Sequence, residues 1–136
     1  MDMDKNTPER RVVETMFAAF DHKDLELAVS TVSEDTLWIH HGTQKLPSMR
    51  FVGKRGVRQF FETNFTAMQV AYFRVKQLIQ DGHTVVALGE EQFTMAGQPD
   101  PLAQQWVQVY TVRAGLITRM EEFASSAAAS DYRVVD

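Results

Sequence analysis

Imidazole, carboxylate and side-chain amide are the groups in this chain that could move protons. Cysteine is absent, which removes thiol nucleophiles, cysteine zinc sites and disulfides. His40 and His41 lie in the β-prone stretch Thr36–Gly42, where side chains alternate, so the two rings point to opposite faces and cannot chelate one ion. A His-x-His spacing is also lacking, and no metal site is expected. His22 falls in a helix break and His83 in a tight turn, both places that face solvent. Glu91 and Glu122 are more informative. Each interrupts a strand face otherwise carrying Ala87, Phe93 or Met120, and an unpaired buried carboxylate is costly. Either that face is wet and polar, or the carboxyls titrate high enough for acid work. A one-residue slip would turn Glu90 and Glu121 inward instead. Folding the chain at Arg113-Ala114-Gly115 sets Gln108 opposite Glu122 to within about two residues of register, where its amide can donate to the carboxylate. No Gly-x-Ser-x-Gly elbow, phosphate-binding glycine loop or dinucleotide fingerprint occurs, so serine and nucleotide chemistry have no support. Lys54, Arg55 and Arg58 open a helix and could hold an anion on its backbone amides, or be a solvated helix end.

The elements that must position these groups can be read from periodicity. Thr7-Pro8-Glu9 combines a capping hydroxyl, a proline and an early acid. Val12, Val13, Met16, Phe17 and Phe20 then recur at helical spacing. Asp21-His22-Lys23-Asp24 breaks into a shorter second helix, with Leu25, Ala28, Val29 and Val32 on one side. A third follows Gly53, carrying Val57, Phe60, Phe61, Phe65 and Met68. From Val70 the period changes to two, with strands expected near 70–80, 83–95, 103–113 and 116–124. Their joints are Asp81-Gly82, the stretch 96–101 and Arg113-Ala114-Gly115. Helices first and an antiparallel meander after argue for an α+β fold.

At 136 residues with 44% hydrophobic and 24% charged residues, the chain reads as a single domain with one core. The core is expected over about 8–125, with 126–136 a loose tail. Fourteen basic against 18 acidic residues give a net charge of −4, which disfavours a nucleic-acid partner. No apolar run is long enough to span a membrane. The start Met1-Asp2-Met3-Asp4-Lys5 lacks a basic-then-apolar signal, so a soluble cytoplasmic protein is the expectation. Three helices cover only one face of a four-stranded sheet. The other face carries Val86, Leu88, Val107 and Val109, and a homodimer through it is expected.

Four stretches, Phe17–Leu25, Glu34–Trp38, Val52–Phe61 and Tyr110–Ile117, resemble the SnoaL-like, ketosteroid-isomerase-like branch of the nuclear transport factor 2 superfamily. The resemblance spans about residues 10 to 124 of the sequence. It implies a cone-shaped, cystatin-like fold, with three N-terminal helices packed on a curved antiparallel sheet and a mostly apolar pocket at the mouth. It also implies which residues differ from the isomerases. His40 falls where such enzymes often carry a carboxylate base, Gln108 where they place a protonated aspartate, and Met16 where they place a tyrosine. Steroid isomerisation by the usual residues is therefore not expected.

With His40 inward, as the resemblance implies, Trp38 also turns inward. So do Glu91, then Gln104, Trp106, Gln108 and Tyr110, then Met120 and Glu122. Met16, Phe17, Phe20, Trp38, Phe60, Phe61, Gln104, Trp106, Tyr110 and Met120 would line a pocket for a small apolar or aromatic ligand, although aromatics at such spacings also serve as plain core. An imidazole in an apolar cavity is neutral and can accept a proton. His40 is then the base, Glu122 or Glu91 the acid or orienter, and Gln108 a hydrogen-bonding partner for a carbonyl or hydroxyl. Three readings follow from this one cone: a cofactor-independent acid/base enzyme acting by isomerisation, dehydration, cyclisation or hydrolysis; a ligand-binding or accessory dimer without turnover; or a purely structural dimerisation module, whose pocket Phe17, Phe61 and Trp106 would close.

Overall fold

The structure, a computed structural model, describes residues 6–136; the opening Met1–Lys5, considered above for an export signal, lies outside them. The first helix, α1 (Pro8–His22), starts where Thr7 accepts a hydrogen bond from the Arg10 backbone N–H and Pro8 fills the first turn. It ends at Lys23, whose φ of 55° is left-handed and whose N–H reaches Phe20 O at 3.2 Å, the geometry that satisfies terminal carbonyls. Asp24 then caps the short α2 (Leu25–Ser30) by accepting from Leu27 N–H.

Six strands follow: β1 (Val32–His40), β2 (Met49–Val52), β3 (Met68–Asp81), β4 (Thr84–Met95), β5 (Leu102–Arg113) and β6 (Leu116–Ser125), with α3 (Gly53–Ala67) between β2 and β3. They form one sheet in the order β2-β1-β6-β5-β4-β3. The expected antiparallel meander is β3 to β6. The expectation of three N-terminal helices on an antiparallel sheet is corrected in two ways. Only α1 and α2 precede the sheet, and the sheet is mixed, because β1 pairs in parallel with β6. A parallel pair needs a long connection; α3 and the meander supply it, and β1 covers what would otherwise be an open edge of β6.

Three smaller expectations also change. Val32 starts β1 rather than ending α2, because Thr31 Oγ1 donates to Ala28 O and closes the helix. Met68 opens β3 rather than closing α3. The tail is anchored at its start: Ser126 is buried, its N–H donates to Gln44 Oε1 at 2.8 Å and its hydroxyl lies 2.7 Å from Thr43 Oγ1. Beyond a single 3-10 turn at Ala129–Asp131, Tyr132, Val134 and Val135 are exposed. Register shifts leave Ala71 and Lys76 of β3 and Thr118 of β6 without a partner, bulges of the kind that bend a strand and increase its twist.

One face of this sheet carries the core. Val85, Ala87, Trp106, Tyr110, Val112, Ile117 and Met120 meet Val13, Met16 and Ala19 of α1 and Val57 and Phe61 of α3. Gly89 is required here by close approach. A Cβ on it would lie 2.2 Å from Trp106 Cζ2 and 2.5 Å from the Arg74 carbonyl oxygen, so the indole rests directly on the glycine backbone of the neighbouring strand. On the opposite face Val86, Leu88 and Val109 are half-buried, whereas Ile79, Val107 and Phe123 are exposed.

Candidate functional site

The inner face of β5 carries Gln104, Trp106, Gln108 and Tyr110 in a row, all buried. Its neighbours set the partners. Gln108 pairs in register with Glu122 of β6, and Gln104 with Glu91 of β4. Glu91 and Glu122 are 6% and 8% exposed, whereas Glu90 and Glu121 are half-buried on the other face. His40 and Glu122 are register partners across the parallel ladder.

These pairs form a chain of contacts. Tyr110 Oη donates to Gln108 Oε1 at 2.5 Å, and Gln108 Nε2 donates to Glu122 Oε1 at 2.8 Å. Glu122 Oε2 then lies 3.7 Å from His40 Nε2, a close approach longer than a hydrogen bond. Gln108, expected both to donate to Glu122 and to hydrogen-bond a substrate oxygen, makes the first of these contacts, and its carbonyl and one N–H are committed within this chain. Tyr110, expected only as a wall, is the far anchor. Cross-strand parity shows that both face inward, but parity alone does not give the bond between residues two apart on one strand.

Burial dominates the electrostatics. It pulls the His40 imidazole down to about 4, assisted by the neighbouring His41. Glu122 does not counter this. Burial raises its carboxyl above 4.5 despite the Gln108 bond, so at the pH where His40 titrates the carboxyl is itself largely protonated. Glu91 is pushed up to about 7 by burial, with the Glu122 charge adding to it and the Gln104 bond opposing. Burial, with the same charge, lifts the Tyr110 phenol well above 10. At neutral pH the imidazole is therefore uncharged, and Glu91 is protonated about half of the time.

The folded-state pKa of Glu91 is raised, so its carboxyl favours the fold fully below about 4.5. That contribution is lost as pH rises through about 7. Glu91→Gln removes the buried charge and keeps a carbonyl that can accept from Gln104. The variant is expected to exceed the native protein in stability by on the order of 1–3 kcal/mol at pH 8 and by little at pH 5. Urea unfolding at the two pH values measures this. An equal gain at both would refute a charge origin.

The expected pocket residues divide into two groups. Met16, Trp38, Phe61, Trp106, Tyr110 and Met120 are packed in the core, while Phe17, Phe20 and Phe60 are half-buried at its margin. Phe51 and Phe73 were not anticipated. Phe51 and Phe60 lie 5.6 and 5.0 Å from the His40 ring, and Phe73 stacks on Trp106 at 5.1 Å. Phe51 carries no periodic signal, because β2 is a four-residue edge strand too short to show alternation. The His40 side chain keeps 18% exposure, so this is the edge of the polar chain that solvent reaches. A groove of about 560 Å³ lies elsewhere, on the outer face, lined by Leu88, Val107, Phe123 and neighbours.

The other titratable groups are engaged at the surface. His41 Nε2 contacts Glu121 Oε2 at 2.5 Å, and its ring stacks on Phe123. His83 lies 3.7 Å from Glu9. Arg58 forks onto Glu26 at 2.8 and 2.9 Å, and Lys54 reaches Glu34 at 3.8 Å, so two of the three cations at the α3 start are paired with carboxylates. Among the described residues, no group of three or more His, Cys, Asp or Glu is arranged to hold a metal ion, and no helix is long and apolar enough to cross a membrane.

Comparison with known proteins adds a family. The model for the SnoaL-like domain matches residues 13–120. No curated protein sequence matches the chain. Among solved structures, an NTF2-like protein from Burkholderia xenovorans LB400 is 19% identical with a TM-score of 0.77, over 88% of this chain and 90% of that one. An LEH-like epoxide hydrolase from M. tuberculosis is 17% identical with a TM-score of 0.69, over 88% and 84%. TerC, co-crystallised with polyporic acid, is 25% identical with a TM-score of 0.68, over 86% and 91%.

Proposed function

Since the chain belongs to the SnoaL-like domain family, we propose that it catalyses cofactor-independent proton transfer on a small hydrophobic organic molecule. His40 is the base, Glu122 its orienting carboxylate and Glu91 the acid. One observation carries this reading: a neutral, partly exposed imidazole with its Nε2 3.7 Å from a carboxylate that is itself fixed by the Gln108–Tyr110 chain. In the reaction Nε2 takes a proton from a carbon acid. The Glu122 carboxylate stabilises the imidazolium that forms, and the Gln108 amide keeps that carboxylate from turning away. The aromatic margin of Phe51 and Phe60 suits a flat apolar substrate, and the TerC co-crystal supports an organic ligand in this fold. The outer sheet face is assigned to a second copy of the chain. It keeps Ile79, Val107 and Phe123 exposed and carries the mixed pairs Arg74–Glu90 and Arg119–Glu121, a self-complementary combination.

The pH dependence tests the assignment. The mechanism needs a neutral His40, an ionised Glu122 and a protonated Glu91, so kcat/KM should rise as Glu122 ionises above 4.5, where His40 is already neutral, and fall through about 7. Exchange of the acidic protons of β-tetralone in deuterated buffer, followed by NMR, gives this profile. A rate above the buffer background with neither the rise nor the fall would reject this assignment. No enzyme-dependent exchange of any carbonyl compound would favour the non-catalytic receptor.

A further inference from the structure

The first helix is pinned to β3 at two points. Thr7 Oγ1 donates to Gln80 Oε1 at 2.6 Å, and Phe17 packs on Phe73 with ring centroids 6.0 Å apart. Between these points β3 bulges: Val75 and Gln77 have partners on β4, and Lys76 has none. A bulge re-aims the side chain it carries. Here Lys76 lines a cleft of about 340 Å³ together with Arg10, Glu14 and Phe17, which share one face of α1. That volume lies within the roughly 300–1,000 Å³ of small-molecule sites. Charge in the cleft is left unbalanced. Arg10 Nε comes only to 4.0 Å of Glu14 Oε2, is buried, and has no hydrogen-bond partner. Its Nη1 makes one long bond of 3.4 Å to Leu78 O, and Nη2 makes none among the described residues. Arg58, by contrast, closes both prongs of its guanidinium on Glu26 at 2.8 and 2.9 Å. Lys76 has no ion pair among the described residues. Two cations against Glu14 therefore leave a single net positive charge, beside an apolar floor of Phe17, Val75 and Leu78.

We infer that this cleft between α1 and β3 binds an aromatic monocarboxylate, its carboxylate held by Arg10 and Lys76 and its ring laid on Phe17, Val75 and Leu78. A carboxylate is the planar two-oxygen acceptor that a guanidinium fork fits. One net positive charge matches a monoanion, whereas a phosphate dianion would set its second charge against Glu14. Phe17 favours a flat ring over an aliphatic chain. It is half-buried and already belongs to a cluster with Phe73, Trp106 and Tyr110, so a further aromatic extends that packing. The cleft is separate from His40. Strands β6, β5 and β4 stand between β1 and β3 in the sheet, and the inference does not depend on the proton-transfer reading.

A matched pair of probes tests the site. Titrate the protein at pH 7 and low salt with 2-naphthoate and with its uncharged counterpart 2-naphthalenemethanol, and follow binding by calorimetry. Naphthoate is expected to bind at least about tenfold more tightly, through charge-assisted hydrogen bonds that the alcohol cannot make. A chain of net charge −4 repels anions as a whole, so such a preference reports a local cationic site. In Arg10→Gln the ratio of the two affinities should collapse toward one. Lys76→Glu should reverse it; Lys76 is exposed at the bulge, so this variant serves if Arg10→Gln does not fold. Equal affinity for the two probes overturns the site. So does a preference for naphthoate that survives Lys76→Glu, because the anion then sits elsewhere on the protein. Absence of naphthoate binding up to about 1 mM, a Kd too weak for a built site, overturns it as well.

Discussion

His40→Ala is expected to lower turnover of a proton-transfer substrate by about 10²- to 10⁴-fold, the usual contribution of a positioned base, while its Kd changes little. The reason lies in where the ring sits. It packs edge-on to Phe51 and against Phe60, so an alanine removes the accepting nitrogen from the margin of the site and leaves the buried partners in place. Glu122 keeps its bond from Gln108, which limits structural collapse. Measuring kcat by steady-state kinetics and Kd by calorimetry on the same ligand separates the two families of explanation. A variant that loses affinity and turnover together would mean that His40 holds the ligand and does no chemistry. Unchanged turnover would remove it from the mechanism.

The second large effect concerns Gly89. A Val there drives its Cβ to 2.2 Å from Trp106 Cζ2 and 2.5 Å from the Arg74 carbonyl oxygen. The indole could rotate, but the carbonyl belongs to the paired backbone of β3 and cannot. Trp106 is 2% exposed and stacked on Phe73, so expelling it also strips the centre of the inner face. Gly89→Val should destabilise the fold by about 3 kcal/mol or more, lowering Tm by on the order of 10 °C. Calorimetric melting checks this. A melting temperature within a degree or two of the native protein would show that the indole is not seated on this glycine. The smaller Gly89→Ala meets the same two contacts.

Strand faces were legible because they alternate. Glu91, Gln104, Gln108 and Glu122 each occupy a position whose neighbours two residues away are apolar or small; alternation grouped them on one face of β4 to β6, and only the inward placement of His40 implied by the resemblance said which face that was. The pairing of Gln108 with Glu122 followed from the single turn at Ala114–Gly115, where both residues have positive φ. What could not be read were contacts that no local pattern encodes. The parallel ladder between β1 and β6 joins segments far apart in sequence, so neither periodicity nor turn length announces it. Nor did β2, short and at an edge, or the anchoring of Ser126 by Thr43 and Gln44. Within the site, hydrogen-bond saturation was the missing information. The glutamine opposite Glu122 was evident, but not that Tyr110 uses its carbonyl while Gln104 keeps an unpartnered one.

That parallel ladder also governs when the site can exist. His41 donates its backbone N–H to Glu122 O at 3.2 Å, and its side chain meets Glu121, 80 positions away. Closing so long a loop is entropically late work, and non-local pairings of this kind slow folding. A chain that has formed the β3–β6 meander without docking β1 would hold Glu91, Gln104, Gln108 and Tyr110 on one sheet but lack the imidazole. On the proposed assignment His40 meets Glu122 only when β1 docks on β6, so activity regained during refolding would report that docking and not the meander alone.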